Sequence, residues 1–312
     1  MRRTELFNED CFSWMARHPD NSVHAVCTDP PYGLVEFTEK EITKLRNGRG
    51  GVWRIPPVIG GSRRDPLPRF TVLSRDEKVA LKAFFQEWAT VLSRILVPGA
   101  HVIIAGHPIL QPYVQMAMID SGYEIRDTVI RLYYGFRGGD RPKLAEKEFP
   151  EVCVTPKGAH EPWMLFRKPI DTTRVSQNLE KWGTGALRRL SLQSPFPDAI
   201  TSGRTPSLEA EISDHPCLKP QHFMRIIVRA LLPLGKGVIL DPFMGSGSTI
   251  AAAQAIGYSS IGIELDQIYF EQAKNAIPRL ASLYPGFDGS SLEVPKDSPQ
   301  LQLRMPGSPL SP

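Results

Sequence analysis

The chain is poor in cysteine, in long apolar runs and in net charge. Its 4 cysteines, Cys11, Cys27, Cys153 and Cys217, lie far apart, and none forms a Cys-x-x-Cys pair. That argues against a zinc cluster or a disulfide framework and for a reducing compartment. No stretch approaches the roughly 18 apolar residues of a membrane span. The opening MRRTELFNED carries two arginines with no apolar run behind them, unlike a secretory signal. A cytoplasmic location with no membrane partner is expected. No internal repeat is visible. His101, His107 and His160 lack ligand spacing and read as structural, so no metal site is expected.

What remains is ordinary globular usage. The 312 residues are 41% apolar and 22% charged, enough for one large domain or two small ones with a sizeable core. Net charge is only +4, but it is unevenly placed. Between Lys44 and Arg75 eight basic residues face one acid, in a frame of five glycines and four prolines. Such a segment reads as a long loop whose charge suits an anionic partner.

Strand and helix signals alternate along the rest. Val23–Thr28 is apolar and β-branched and halts at two prolines, as a buried strand does. Leu81, Phe84, Phe85, Trp88, Val91, Leu92 and Ile95 follow helical spacing, with Pro98-Gly99 as the expected stop. His101–Gly106 reads as a strand, 108–120 as a helix, and Ile125–Tyr134 and Trp163–Phe166 as further strands. Residues 167–214 break the pattern. Order returns with a helix from Pro220 to Leu232, the strand Gly237–Asp241, a glycine loop and helix, the strand Ser260–Leu265, and a helix from Asp266 to about Leu283. This alternation predicts an α/β fold with a parallel sheet. The domain is expected to span 1–284, with 285–312 a disordered tail.

The glycine loop Asp241-Pro-Phe243-Met-Gly245-Ser-Gly247-Ser248-Thr249 joins a strand to a helix. Glycines there allow positive φ and close approach of a ligand, and the helix start offers free N–H groups. A phosphate-gripping loop would need lysine after the last glycine, and a dinucleotide fingerprint would need glycine at Ile250. A nucleoside-type cofactor carrying an amino acid fits better, because Asp241 would repel pyrophosphate but welcome an ammonium. Glu264 ends the next strand 23 residues on, near the offset at which an acid meets ribose hydroxyls.

Asp29-Pro30-Pro31-Tyr32 closes the first buried strand. The Asp29 side chain and a proline carbonyl can stand side by side as two acceptors, suited to an NH₂ group with two donors. Tyr32 adds a flat face for a base.

These two motifs together resemble the S-adenosylmethionine-dependent amino-methyltransferases of DNA. With the Asp-Pro-Pro-Tyr motif ahead of the glycine loop, the order resembles the permuted beta group. Asn8-Glu-Asp10-Cys11 resembles the motif whose acid contacts the cofactor's adenosine. Leu92–Gly99 resembles the helix end before a sheet strand, and His160-Glu-Pro-Trp-Met-Leu-Phe166 a strand that follows. His215-Pro-Cys-Leu-Lys219-Pro220 resembles the segment over the cofactor's methionine end, with Lys219 near its carboxylate. The likeness covers about 5–35, 85–170 and 213–283.

The resemblance implies a Rossmann-like S-adenosylmethionine-dependent methyltransferase fold with inserted target-recognition segments. A DNA-contact loop at about 36–75 and a recognition segment at about 167–214 match no family motif. It implies methyl transfer from S-adenosylmethionine to an exocyclic amino group of double-stranded DNA. Catalysis would fall to Asp29, Pro30, Pro31 and Tyr32. Asp10, Cys11, Lys219, Asp241, Phe243, Gly245, Gly247, Ser248, Thr249 and Glu264 would hold the cofactor. Arg46, Arg49, Arg54, Arg63 and Arg64 would meet phosphates. Aspartate first in the motif leans toward adenine N6 over cytosine N4. Pro216-Cys217 suggests ring-carbon methylation, but no Glu-Asn-Val accompanies it, and Cys217 reads as packing. An RNA or protein methyltransferase and an inactive DNA-binding relative are the competing readings. A homodimer, a cognate restriction endonuclease and the recognised sequence stay open.

Overall fold

A computed structural model describes residues 3–31, 73–133, 139–213, 215 and 217–293. Among them β1 (Thr4–Asn8), α1 (Cys11–Arg17) and β2 (Val23–Thr28) come first, then α2 (Arg75–Ile95), β3 (Leu96–Ala105) and α3 (Gln111–Asp120). Next are β4 (Glu124–Leu132), β5 (His160–Arg167), α4 (Val175–Trp182), β6 (Ala199–Thr201) and α5 (Ser207–Ala210). Last come α6 (Gln221–Leu231), β7 (Val238–Asp241), α7 (Ser248–Ala255), β8 (Ser259–Glu264) and α8 (Gln267–Ser282).

The strands form one sheet in the order β1-β8-β7-β2-β3-β5-β4-β6. β2 and β3 send alternate side chains to opposite faces, the reason their runs are almost wholly apolar. Val26, Val102 and Ile104 join Leu81, Phe85, Trp88 and Leu92 of α2 on one face. Ala25, Cys27, Ile103 and Ala105 join Phe223, Ile227 and Leu231 of α6 on the other. α7 packs on α8 through Ile250, Ala251, Ala273 and Ile277.

The α/β class is as expected, but the sheet is mixed, not parallel. β5 runs antiparallel to both β3 and β4. Its N-terminal residues His160 and Glu161 therefore lie at the same end of the sheet as the C-termini of β2 and β3. The edge strand β1 precedes the short helix α1 at the start of the described residues. α2 starts in a capping box, with Ser74 Oγ accepting from Glu77 N and Glu77 Oε2 accepting from Ser74 N. It ends at Ile95, three residues before the expected stop. β3 begins at once, and Pro98-Gly99 lies inside it.

Residues 167–213 are ordered and split in two. Lys168 Nζ donates to Ser93 O and Leu96 O, and Asn178 Nδ2 donates to Pro98 O. These contacts fix 168–185 at the start of β3, the end of the sheet remote from Asp29. The chain then returns, and β6 adds to the C-terminal half of β4. The domain also runs past 284. Arg225 donates to the carbonyls of Tyr284 and Phe287, and the His222 ring stacks on Phe287. Residues 285–293 belong to the folded body; the rest of the expected tail lies outside the described residues.

Candidate active site

The chain leaves β2 toward β3 on one side and β7 toward β8 on the other, while β2 and β7 pair directly. A crevice opens outside the carboxyl ends of strands at such a reversal, because the following loops diverge. Here it measures about 310 Å³ with its open mouth, and Asp29, Lys219, Asp241, Phe243, Gly245, Ser248 and Thr249 all line it.

On the β7 side, Gly245 and Gly247 hold φ of 52° and 88°. A Cβ at Gly247 would lie 2.4 Å from Ile277 Cγ1, so the loop can press onto α8 only with glycine there. Gly247 is also the N-cap of α7. Phe243 anchors the loop against Trp88 and Phe84, with ring centroids 6.0 and 6.3 Å away. Glu264 Oε2 accepts from Gly245 N at 2.8 Å, and Oε1 from Asp266 N at 2.8 Å. Each oxygen keeps a lone pair for a further donor. Burial pushes the Glu264 carboxyl above its ordinary value. Asp10 caps α1 by accepting from Ser13 N at 2.9 Å. Burial and the neighbouring Asp10 push the Cys11 thiol up to about 12, so it stays protonated.

Asp241 is buried. Its Oδ1 accepts from Thr28 Oγ1 at 2.7 Å and from Phe243 N at 3.2 Å. Burial pushes its carboxyl up to about 7, against the opposing pull of these donors and Thr249. Asp29 directly follows β2 on the other side of the crevice, with Pro30 buried and Pro31 exposed. Lys219 Nζ donates to Asp29 Oδ2. Lys219, expected near the cofactor's carboxylate, here meets the catalytic candidate. Burial works against the ammonium, but Asp29 and Glu161 outweigh it and hold the lysine above its usual value.

Glu161 is the residue that sequence reasoning missed. Its Oε1 lies 3.4 Å from Lys219 Nζ, and its Oε2 accepts from Arg131 Nη1 at 3.1 Å and Trp163 Nε1 at 3.0 Å. An acid inside the apolar run His160–Phe166 was the available signal, since a buried charge needs a partner. His215 sits against the glycine loop, its Nε2 2.9 Å from where a Cβ at Gly245 would lie. Cys217, read as packing, is exposed at the crevice rim. His101 is buried, and its pKa is lowered to about 3 by burial and by Arg167. His160 is exposed. Tyr32, Arg46, Arg49, Arg54, Arg63 and Arg64 lie outside the described residues.

A sheet that reverses its winding beside a glycine loop and an acid-tipped strand is the arrangement that binds a nucleoside-type cofactor. The chain belongs to the DNA methylase family N6_N4_Mtase, whose family model matches residues 23–275. It is 22% identical to Type II methyltransferase M.HindIII of Haemophilus influenzae, over 87% of this chain and 94% of that one. It is 23% identical to Type II methyltransferase M2.DpnII of Streptococcus pneumoniae, over 87% and 88%. Among solved structures, a Thermus thermophilus protein described as a DNA modification methylase, complexed with S-adenosyl-L-methionine, superposes with TM-score 0.52 at 20% identity, covering 91% of this chain and 97% of that one. The cytosine-N4-specific PvuII DNA methyltransferase gives 0.57 at 14% identity, covering 93% and 90%. The protein is thus an S-adenosylmethionine-dependent DNA methyltransferase acting on an exocyclic amino group, adenine N6 or cytosine N4. Among the described residues, no helix is long and apolar enough to cross a membrane.

Proposed function

We propose that this protein is a beta-group enzyme that methylates adenine N6 at a specific sequence in double-stranded DNA. The observation that carries the reading is Asp29, first residue of Asp-Pro-Pro-Tyr, placed at the crevice opposite the glycine loop. An exocyclic amino nitrogen is a poor nucleophile because its lone pair is delocalised into the ring. Asp29 and the Pro30 carbonyl accept its two hydrogens and draw the nitrogen toward tetrahedral geometry. Orientation of this kind contributes several kcal/mol. The base leaves the duplex to reach the crevice, and Tyr32 supplies the stacking face.

The residues fit S-adenosylmethionine. Glu264 has acceptor capacity left for ribose hydroxyls, and Asp10 and Cys11 border the same end. Asp241 suits an ammonium, and Phe243, Gly245, Gly247, Ser248 and Thr249 shape the wall. When bound, the cofactor supplies an electrophilic methyl group. Arg46, Arg49, Arg54, Arg63 and Arg64, in the loop at about 36–75, meet phosphates. Target recognition falls to the returning half of 167–214, since 168–185 packs at the opposite end of the sheet. A cytoplasmic enzyme working with a restriction endonuclease, as a monomer or homodimer, is consistent with the Type II relatives.

The test is product analysis. Unmethylated genomic DNA is incubated with protein and methyl-labelled cofactor, then digested to nucleosides. Label in N6-methyldeoxyadenosine is expected. Label in N4-methyldeoxycytidine would overturn the adenine assignment.

A further inference from the structure

The Lys219 ammonium touches two carboxylates, Asp29 and Glu161. They differ in freedom. Glu161 sits on β5 between β3 and β4, and Arg131 and Trp163 grip its other oxygen. Arg131 is held in turn by Ser202 Oγ at 3.1 Å and Gly203 O at 2.9 Å. Glu161 is a fixed post. Lys219 lies on the 215–220 segment, attached through its N–H to Ser248 Oγ at 3.1 Å, and its side chain has four rotatable bonds. Here the ammonium is closer to Asp29 and engages Oδ2, one of the two oxygens that could accept from an amino group.

We propose that Glu161 is a positioning residue: it offers Lys219 a second acceptor, so that the ammonium can move off Asp29 when a target amino group arrives. Closing the 3.4 Å gap to Glu161 Oε1 to ordinary hydrogen-bond length takes a shift of less than about 1 Å, which makes Glu161 the nearer partner and loosens the hold on Asp29. No net charge is buried or released, because the ammonium exchanges one carboxylate for another. Without Glu161 the lysine would have Asp29 as its sole anionic partner of the two and would compete with the substrate. The inference rests on Asp29 receiving the amino group, for adenine or cytosine alike.

A double-substitution cycle tests it, with wild-type methyl transfer as the prior check on the functional reading. Glu161→Gln should lower kcat about 10–100-fold, while affinity for S-adenosylhomocysteine by calorimetry stays within about threefold. Glu161→Asp keeps the charge for Arg131 but draws back from Lys219, so it should lower kcat by a smaller factor with the thermal midpoint held; it covers the case of a Gln variant that fails to fold. In a Lys219→Met background, at saturating cofactor, Glu161→Gln should cost nothing further. Equal losses in both backgrounds would make Glu161 merely structural and overturn the proposal. So would wild-type kcat in Glu161→Gln and Glu161→Asp, or an inactive Lys219→Met, which would place the lysine at the reacting atoms.

Discussion

Asp29 and Asp241 end or follow neighbouring strands and face one crevice, but their charges are met in opposite ways. Asp241 is surrounded by neutral donors, the Thr28 and Thr249 hydroxyls and the Phe243 N–H, and burial pushes it up to about 7. Asp29 is less buried and is met by a full positive charge on a long side chain. Neutral donors fixed to the backbone give a rigid wall with a costly charge. A cation on a flexible stem gives a cheap charge whose partner can change. The first suits a ligand held in one pose, the second a group that must be handed over.

That contrast can be broken at three points. The largest effect is expected from Asp29→Ala, which should lower methyl transfer by at least about 10³-fold, near 4 kcal/mol in the barrier. Cofactor affinity by calorimetry should survive, because Gly245, Gly247 and Glu264 stand on the other side. Loss of both together would mean that the two sides are one unit. Next, Gly247→Ala puts a methyl group 2.4 Å from Ile277 Cγ1 at a φ of 88°. It should destabilise the fold by roughly 2–4 kcal/mol in denaturant unfolding. The smallest effect sharpens the Asp241 side. Its folded pKa of about 7 lies above the unfolded value near 3.9, so between these the folded chain holds a proton that the unfolded chain has released. Stability therefore falls as pH rises through that window. Asp241→Asn should remove this contribution and flatten stability between pH 5 and 8 by roughly 1–3 kcal/mol. An unchanged slope would show that the Asp241 carboxyl is ionised throughout.

The β7 side was legible in the sequence because its chemistry is local. Asp241 through Thr249 lie in one stretch, and Glu264 follows at a fixed offset. Buried strands such as Val23–Thr28 were also readable, since both faces need apolar residues. The β2 side was legible only in Asp29-Pro30-Pro31. Lys219 and Glu161 meet across 58 residues of chain, and no periodicity encodes that meeting. The direction of β5 was hidden for a similar reason: an apolar run fixes burial, not polarity. Pro98-Gly99 is not what stops α2, because Leu96 already pairs with Val23 of β2. The three-residue β6 was too short to signal itself.

The bond from Thr28 to Asp241 joins residues 213 positions apart. β2 lies in the middle of the sheet, and one of its two neighbours, β7, is made about 210 residues after it. Long-range pairing of this kind closes late and slowly. An emerging chain can bury α2 on β2 and β3 early, but it has no crevice until β7 and the glycine loop leave the ribosome. The half-made protein can therefore neither hold its methyl donor nor present Asp29 beside it. Its exposed β2 edge must instead wait unpaired, the stage at which aggregation competes most directly with folding.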